Sequence, residues 1–317
     1  MNNGFSLEAE SDHLKARIAW FYFVAGLTQQ EIADQLEITR LRVNKIIGAV
    51  RAEGAVVVDL RMPMIDCIKL EEELKLRFGL EDAMVVPAVQ DPLGSQRTIG
   101  EAAGIMLDSH VSRRHGIGVS GGQTLSYAVR RISERRLKSS WVVGMMGAVT
   151  RGSGTNTFEL STALAQSLDV ECHYLTAPIY CPTRESREVL LAHDEIAAVM
   201  AKAEEAEIAL VACGDLSHRS RVMPLGIIRE NLPSLLEMGA VGEILGCFLD
   251  PEGCILPHPI NQSIMALPLS KLKAKPVSIL ASGGRHKLPI IRAVLRGRYV
   301  NRLVTDDVVA RALIYES

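Results

Sequence analysis

The chain has 317 residues, enough for two domains of roughly 150 residues each, and 48% of them are hydrophobic. That content can supply a sizeable core and excludes a largely disordered protein. With 35 basic and 37 acidic residues, the formal net charge is −2. This excludes a general polyanion binder, so any nucleic-acid site must be local.

No apolar run reaches the roughly 18 residues that cross a bilayer, and the acidic first twelve residues differ from a signal peptide. The six cysteines include no CxxC pair, and Cys172 beside His173 has no second pair at ligand spacing. The sequence has neither the GxxxxGK(S/T) motif of nucleoside triphosphate sites nor a GxGxxG motif with the trailing acid of NAD sites. We therefore expect a cytoplasmic protein without membrane contact, metal or other cofactor.

The first helix is predicted from residue 14 onward. Residues 14–24 carry apolar side chains at helical spacing, and Gly26 follows as a stop. The segment from Thr28 to Glu31 has the pattern of a capping box, in which each residue binds the backbone N–H of the other. The sequence thus predicts a second helix that opens at Thr28 and continues to Leu36.

A third helix is predicted from an N-cap at Thr39 to about Val50. Its apolar residues follow the i, i+3, i+4, i+7 pattern of a core-facing stripe: Val43, Ile46, Ile47 and Val50. Residues 39–52 include four basic side chains and no acid. Two capped helices joined by a tight turn, the second with a basic outer face, predict a helix-turn-helix whose second helix enters the DNA major groove.

The candidate DNA-contacting residues lie on these two helices. Because arginine pairs with guanine and asparagine with adenine, base contacts are expected from Arg40, Arg42 and Asn44. Phosphate contacts are expected from the neighbouring polar side chains Gln29, Gln30 and Lys45. The two N-cap residues, Thr28 and Thr39, belong to the same surface. The alternative is a helical hairpin with a merely solvated basic face. The capping box, the spacing and the acid-free face together favour DNA binding.

A turn and a β-branched strand over residues 53–58 predict a small wing that ends near Met62. We therefore place a DNA-binding domain at residues 1–62 and an effector-binding domain at residues 63–317.

The second domain alternates short apolar strands with helices, often joined by glycine turns. Strands are expected over residues 83–86, 116–120, 141–146, 172–175, 208–213, 276–281 and 303–304, and helices over 70–78, 94–107, 125–132, 157–168, 187–206, 288–295 and 306–314. This repetition predicts an α/β fold, a Rossmann-like doubly wound parallel sheet that follows the helix-turn-helix domain. Ligands of such sheets bind at the carboxyl ends of the strands.

Two glycine turns follow predicted strands and suit an anionic ligand. The first offers backbone donors and a hydroxyl at a helix start: Gly121, Gly122, Gln123 and Thr124. The second adds two cations beside its glycine pair: Gly284, Arg285 and Lys287. Either turn alone fits ordinary strand–helix chemistry, whereas both at one sheet edge predict an anionic small-molecule site.

Three carboxylates, Asp215, Glu243 and Asp250, lie at predicted strand ends. They suit either acid–base chemistry or hydrogen bonds to the hydroxyls of a polyol. Beside a DNA-binding domain, the second role is favoured.

Several motifs together resemble the SorC (DeoR-type) sugar-responsive bacterial transcriptional regulators. They are the segment from Arg17 through Ala33, Ile99-Gly100, the loop Gly118-Val-Ser-Gly-Gly-Gln-Thr-Leu125, Gly239-Ala-Val-Gly-Glu-Ile-Leu-Gly246 with Phe248-Leu-Asp250, and Gly283-Gly284 with Lys287. The resemblance implies an effector domain related to sugar-phosphate isomerases, a tetramer, and an effector, usually a phosphorylated sugar, that changes operator binding.

By the same resemblance, the phosphate cradle falls on residues 121–124, Lys287 contacts phosphate, and Glu243 takes the place of an aspartate that meets ligand hydroxyls. Gly147 matches the first residue of a glycine pair whose second residue here is Ala148. Gly122 replaces a tryptophan found in many members. These departures leave the ligand's identity open.

The sequence therefore predicts a DNA-binding regulator, a repressor of a carbohydrate or polyol operon, with operator DNA, a small-molecule effector and further copies of itself as partners. The rival is a sugar-phosphate isomerase-like enzyme with a helical appendage, in which Asp215 or Glu243 would be the base. The sequence shows neither an activated nucleophile nor a close carboxylate pair, so no catalytic residue is assigned. A pure scaffold would explain neither the acid-free helix nor the glycine turns.

Overall fold

The computed structural model describes residues 12–53, 55–56, 64–111, 116–137, 139–149, 155–218, 220 and 222–316. The chain divides into two compact units, unit 1 over Met1–Met62 and unit 2 over Pro63–Ser317. The wing predicted for residues 53–58 lies partly outside the described residues.

Unit 1 is helical. Its elements are α1 (Asp12–Ala19), a π-helical turn (Trp20–Val24), α2 (Gln29–Leu36) and α3 (Arg40–Ala52). The first predicted helix is therefore α-helical only in its first half. All seven of the most buried apolar side chains are at most 3% exposed: Ile18, Ile32, Ala33, Val43, Ile46, Ile47 and Val50. The predicted core stripe of α3 is thus confirmed.

Side-chain caps fix the ends of α2 and α3. The Thr28 hydroxyl accepts a hydrogen bond from the Glu31 N–H (3.3 Å), and the Glu31 carboxylate accepts one from the Thr28 N–H (2.7 Å). Both bonds lower the pKa of Glu31, and the bond from the Thr28 backbone N–H has the larger effect. Thr39 caps the N–H of Arg42 at 3.3 Å. Glu37, in the left-handed conformation at φ 53°, reverses the chain between the helices.

Unit 2 contains two sheets among its described residues. The strands are β1 (Asp82–Val86), β2 (Gly116–Val119), β3 (Trp141–Gly144), β4 (Glu171–His173), β5 (Ile208–Val211), β6 (Cys213–Gly214), β7 (Gly242–Ile244), β8 (Cys247–Leu249), β9 (Val277–Ala281) and β10 (Arg302–Asp306). Seven of them form a parallel sheet in the order β1-β10-β9-β5-β2-β3-β4. The other three form a small antiparallel sheet in the order β6-β7-β8.

The helices of unit 2 are α4 (Ile65–Phe78), α5 (Pro92–His110), α6 (Gln123–Arg131), α7 (Thr157–Leu168), α8 (Arg184–Leu191), α9 (Asp194–Glu205), α10 (Gly226–Glu237), α11 (Pro259–Gln262), α12 (Leu269–Lys273), α13 (Leu288–Arg296) and α14 (Asp307–Tyr315). A short 3-10 turn, Arg285–Lys287, precedes α13. Among these described helices, none is long and apolar enough to cross a membrane.

The parallel sheet is buried on both faces, as its short apolar strands predict. In β5, Ile208 and Leu210 contribute to one core, whereas Ala209 and Val211 contribute to the other. Alternate side chains of one strand therefore anchor two helix layers. The predicted doubly wound α/β architecture is confirmed.

Two expectations for unit 2 are wrong in detail. The helix predicted over residues 187–206 is two helices, because His193 is extended (ψ 124°) and starts α9. The strand predicted to end at residue 213 ends at Val211, and the chain then enters the antiparallel sheet. That sheet and α10 were not predicted, because strands of two or three residues give no periodic signal and Pro233 lies inside α10.

Candidate functional site

The predicted DNA-contacting residues of unit 1 are exposed, apart from half-buried Gln29. Four of them border a common groove at the start of α2: Thr28, Gln29, Gln30 and Arg40. The N-terminus of α2 and the Arg40 side chain both border this groove, and both favour binding of a DNA phosphate. Arg51, the fourth basic residue of α3, instead lies over the rings of Tyr22 and Phe23, at 5.9 and 5.2 Å from their centres.

The first two glutamines of α2 already have partners within unit 1. Gln29 donates its Nε2 to Oδ1 of Asn44 at 3.2 Å, which ties α2 to the outer part of α3. Gln30 donates to the Asp34 carboxylate at 2.8 Å. The first bond orients the Asn44 amide, leaving its Nδ2 group to donate elsewhere.

Unit 2 has a cavity where the strand order of the parallel sheet reverses. From β2 the chain builds outward through β3 and β4, then returns to β5 on the other side of β2. Such a switch point is where open α/β sheets bind ligands. We call the space here the switch-point cavity. Its volume is about 100 Å³, and it is lined by Gln96, Ser120, Gly121, Gly122, Gln123, Thr124, Met146, Ile179, Ala212, Cys213, Gly214, Ser220, Val222, Glu243, Leu245 and Lys287.

The turn between β2 and α6 forms one wall of the switch-point cavity. Gly122 is the N-cap of α6, so no side chain caps the first N–H groups of this helix. Its φ of 146° favours glycine at this position. The Gly122 N–H itself donates to the Thr155 carbonyl oxygen at 3.0 Å. The donors that remain for a ligand are therefore those of the first turn of α6 rather than the Gly122 amide.

A cation and a carboxylate line the same cavity. Lys287 follows β9 and donates its Nζ to the Cys213 carbonyl oxygen at 3.1 Å. Glu243, on β7, is buried, and its Oε2 accepts the Gly246 N–H at 2.8 Å. Burial raises the pKa of the Cys213 thiol to about 11, so this cysteine is no thiolate nucleophile at neutral pH. The cavity thus offers one positive and one negative group to a polar ligand.

Two buried polar atoms near this cavity lack a hydrogen-bond partner among the described residues. They are Oδ1 of Asp215 and Oγ of Ser220, and both residues are 7% exposed. Ser220 lines the cavity, whereas Asp215 follows its Gly214 wall without lining it. An unpaired buried acceptor is costly, so these atoms are suited to a bound hydroxyl or water.

Three other predicted effector residues do not line the switch-point cavity. Gly147 donates to the Met265 carbonyl oxygen at 2.8 Å, and a Cβ there would lie 2.5 Å from the carbonyl oxygens of Ala177 and Pro178, which makes it a packing position. Gly284 donates to Asp306 at 2.6 Å. Arg285 extends to the surface and pairs with Glu316 at 2.9 Å.

Asp250, the third predicted strand-end acid, has a local role. Its Oδ1 accepts the N–H groups of Glu252 and Cys254 at 2.9 and 2.8 Å.

A larger and mainly apolar cavity of about 570 Å³ adjoins the first, because Met146 lines both. It lies between β3, the start of α7 and the segment after β4, where Phe158 and Tyr174 stack with ring centres 4.4 Å apart. Thr157, at 3% exposure, presents there a hydroxyl without a partner among the described residues.

Sequence reasoning missed several residues of the switch-point cavity. Ser120 precedes the glycine pair directly, so its position after β2 was a usable signal. Gln96, Ser220 and Leu245 come from α5 and from loops far along the chain. Leu245 lies within the Gly239–Gly246 motif, but no local pattern indicates that these three residues line one cavity, because only the tertiary fold brings them to the switch point.

Close packing of α5 on α6 holds the cavity wall in place. A Cβ on Gly100 would clash with the Thr124 carbonyl oxygen and lie 2.6 Å from Cβ of Tyr127. We expect Gly100→Ala to lower the free energy of unfolding by about 1–3 kcal/mol, the usual cost of overpacking, and to weaken effector binding because α6 must shift. Urea unfolding and a ligand titration measure both effects. Gly226→Ala is the matched control, because a Cβ at this position would have no neighbouring atom within 4 Å. An equal loss of stability in Gly226→Ala would contradict the packing argument.

The chain matches the family model "Putative sugar-binding domain" over residues 62–315. It is 29% identical over 308 residues to the erythritol catabolism regulatory protein EryD of Brucella abortus, and the alignment covers 96% of each chain. It is 30% identical over 308 residues to the transcriptional regulator LsrR of Escherichia coli K12, covering 94% of this chain and 93% of LsrR.

Among solved structures, the full-length sorbitol operon regulator SorC of Klebsiella pneumoniae has a TM-score of 0.75 to this chain at 22% identity. The match covers 96% of this chain and 100% of SorC, and it supports the fold. The family model and the relatives together extend over both units. The chain therefore belongs to the SorC/DeoR-type family of sugar-binding transcriptional regulators, and it is a regulator rather than an enzyme.

Proposed function

We propose that this protein represses a carbohydrate or polyol catabolic operon, and that a phosphorylated sugar or polyol bound in the switch-point cavity controls its affinity for operator DNA. One observation carries this proposal. Lys287, the uncapped N-terminus of α6 and the Glu243 carboxylate all border one cavity at the carboxyl edge of the sheet.

These groups divide the recognition of such a ligand between them. A lysine and free N–H groups at a helix start favour a phosphate dianion, whereas a carboxylate accepts hydrogen bonds from hydroxyls. The names of two similar proteins, which regulate erythritol catabolism and the sorbitol operon, point to polyols. A neutral sugar alone would make no charged contact with Lys287.

The α3 surface supplies the proposed DNA contact. Arg40, Arg42, Asn44 and Lys45 are exposed, as a helix that enters the major groove requires. We further propose that the protein acts in the cytoplasm as a homotetramer. In this mechanism the effector binds one arrangement of the assembly better and so shifts its population, which changes operator affinity. Light scattering at working concentration measures the number of subunits.

A two-part experiment tests the proposed function. The full-length chain is first used to select duplexes from random-sequence DNA, and its melting temperature is then measured against paired phosphorylated and free sugars and polyols. A ligand at 100 times its dissociation constant stabilises the native state by about 2.7 kcal/mol, which is readily detected. We expect a phosphorylated compound to raise the melting temperature and to release the selected duplex. Stabilisation by free polyols only would contradict the phosphate site, and failure to select any duplex would contradict DNA binding.

A further inference from the structure

The outward face of α3 follows from its buried face. Val43, Ile46, Ile47 and Val50 fix the core side of the helix. At about 100° per residue, the positions opposite to them are 41, 45 and 48. These positions hold Leu41, Lys45 and Gly48, which we call the outer stripe. Arg40 and Arg42 lie on the two flanks of this stripe.

Leu41 is the first unusual member of the outer stripe. It is 78% exposed, although it lies between two exposed arginines at the start of α3. A single exposed leucine is common on protein surfaces and by itself indicates no site. Its meaning depends on its neighbours along the stripe.

Gly48 is the second unusual member. A Cβ at this position would meet no atom within 4 Å, and the residue has ordinary helical backbone angles. Neither packing nor conformation within unit 1 therefore requires a glycine here. Yet glycine destabilises a helix interior by about 1 kcal/mol relative to alanine. A surface that approaches α3 closely from outside explains its presence.

The third observation is the bond between the two amides. Nε2 of Gln29 donates a hydrogen bond to Oδ1 of Asn44 at 3.2 Å. Asn44 lies one turn after Leu41 on the surface of α3. Asn44 can still donate from Nδ2 and accept a second bond at Oδ1, as adenine requires in the major groove. The thymine of the same base pair presents a methyl group, whose natural partner is an apolar side chain.

We propose that Leu41 reads the methyl group of a thymine in the operator, at an A·T pair whose adenine faces Asn44, while Gly48 lets the helix approach the DNA closely. This inference rests on the proposed DNA binding of the chain. It assigns base readout to the centre of the outer stripe, with the arginines on either side.

The test uses a duplex that the full-length chain selects from random-sequence DNA. Each thymine is replaced in turn by deoxyuridine, which removes only the methyl group, and affinity is measured by fluorescence anisotropy. We expect one replacement to weaken wild-type binding about fourfold, which corresponds to the free energy of burying one methyl group. The Leu41→Ala variant should bind more weakly and should not respond to that replacement.

Two results would overturn the assignment of Leu41. In the first, no deoxyuridine replacement weakens the binding of the wild-type protein. In the second, the replacement weakens binding by the Leu41→Ala variant as much as binding by the wild type. If the chain selects no duplex at all, the proposed function itself fails, which is a distinguishable outcome.

Gly48→Ala provides an independent test with effects of opposite sign. The variant should raise the melting temperature, because alanine favours the helix, but should weaken duplex binding several-fold because its methyl group faces the DNA. Gly226→Ala, at an equally open position in unit 2, is the matched control and should leave duplex affinity unchanged. Unchanged affinity in Gly48→Ala would overturn the close approach.

Discussion

Replacing Lys287 by alanine is expected to weaken the binding of a phosphorylated effector by roughly 10- to 100-fold, because charge-assisted hydrogen bonds contribute about 1.5–3 kcal/mol. Among the described residues that line the switch-point cavity, Lys287 is the cationic side chain. Isothermal titration with a phosphorylated compound and with its free counterpart measures the effect. The phosphorylated ligand should lose far more affinity than the free one, since only the former carries the charge that Lys287 meets.

Arg285→Ala is the matched control for this prediction. It removes a cation from the same short 3-10 turn, but its side chain pairs with Glu316 at the surface, away from the cavity. Its effector affinity should stay within about twofold of the wild type, because exposed ion pairs contribute little. Equal losses in the two variants would mean that the general charge of the turn, rather than a direct contact, attracts the ligand. The melting temperature without ligand shows whether loss of the Lys287 bond to Cys213 destabilises unit 2.

The double variant Arg40→Ala/Arg42→Ala is expected to lose operator affinity by at least about 30-fold, because each arginine–DNA contact contributes roughly 1–3 kcal/mol. Both side chains are exposed on α3 and belong to unit 1, so effector affinity in unit 2 should not change. Anisotropy titrations at several salt concentrations measure the loss. If the two arginines contact phosphates, the slope of log affinity against log salt should also fall by about 0.9 per contact.

Arg51→Ala tests whether the position or only the charge of these arginines matters. It removes one positive charge from the same helix, but its guanidinium lies over the rings of Tyr22 and Phe23. We expect a small loss of operator affinity, less than about threefold. If Arg51→Ala reduced operator affinity as much as the double variant does, net charge would explain DNA binding. The assignment of α3 as the recognition helix would then be wrong.

The two units differ in how much of their structure the sequence predicts. In unit 1, the capping box at Thr28, the cap at Thr39 and the core stripe of α3 are all local patterns, and all are present in the structure. In unit 2, the alternation of strands and helices predicts the parallel sheet. It does not predict β6, β7 and β8, because β6 pairs with a strand about thirty residues away and the strands of the β7–β8 hairpin have only three residues each.

The site shows the same division. Residues 121–124 reach the cavity because a turn after a buried parallel strand must open at the carboxyl edge of the sheet. Lys287 and Arg285 are two residues apart, and neither their charge nor their spacing distinguishes them. Only the fold turns the first toward Cys213 and the second toward Glu316.

The sequence by itself determined the helix-turn-helix unit, the α/β class and the family, because caps, periodicity and motifs act over a few neighbouring residues. The tertiary structure decided which side chains share the switch-point cavity, that Gly147 is a packing glycine, and that Gln29 holds Asn44. Those facts depend on side-chain directions and on contacts between segments distant in the chain. Such contacts form only when the whole core has packed, so no local pattern encodes them.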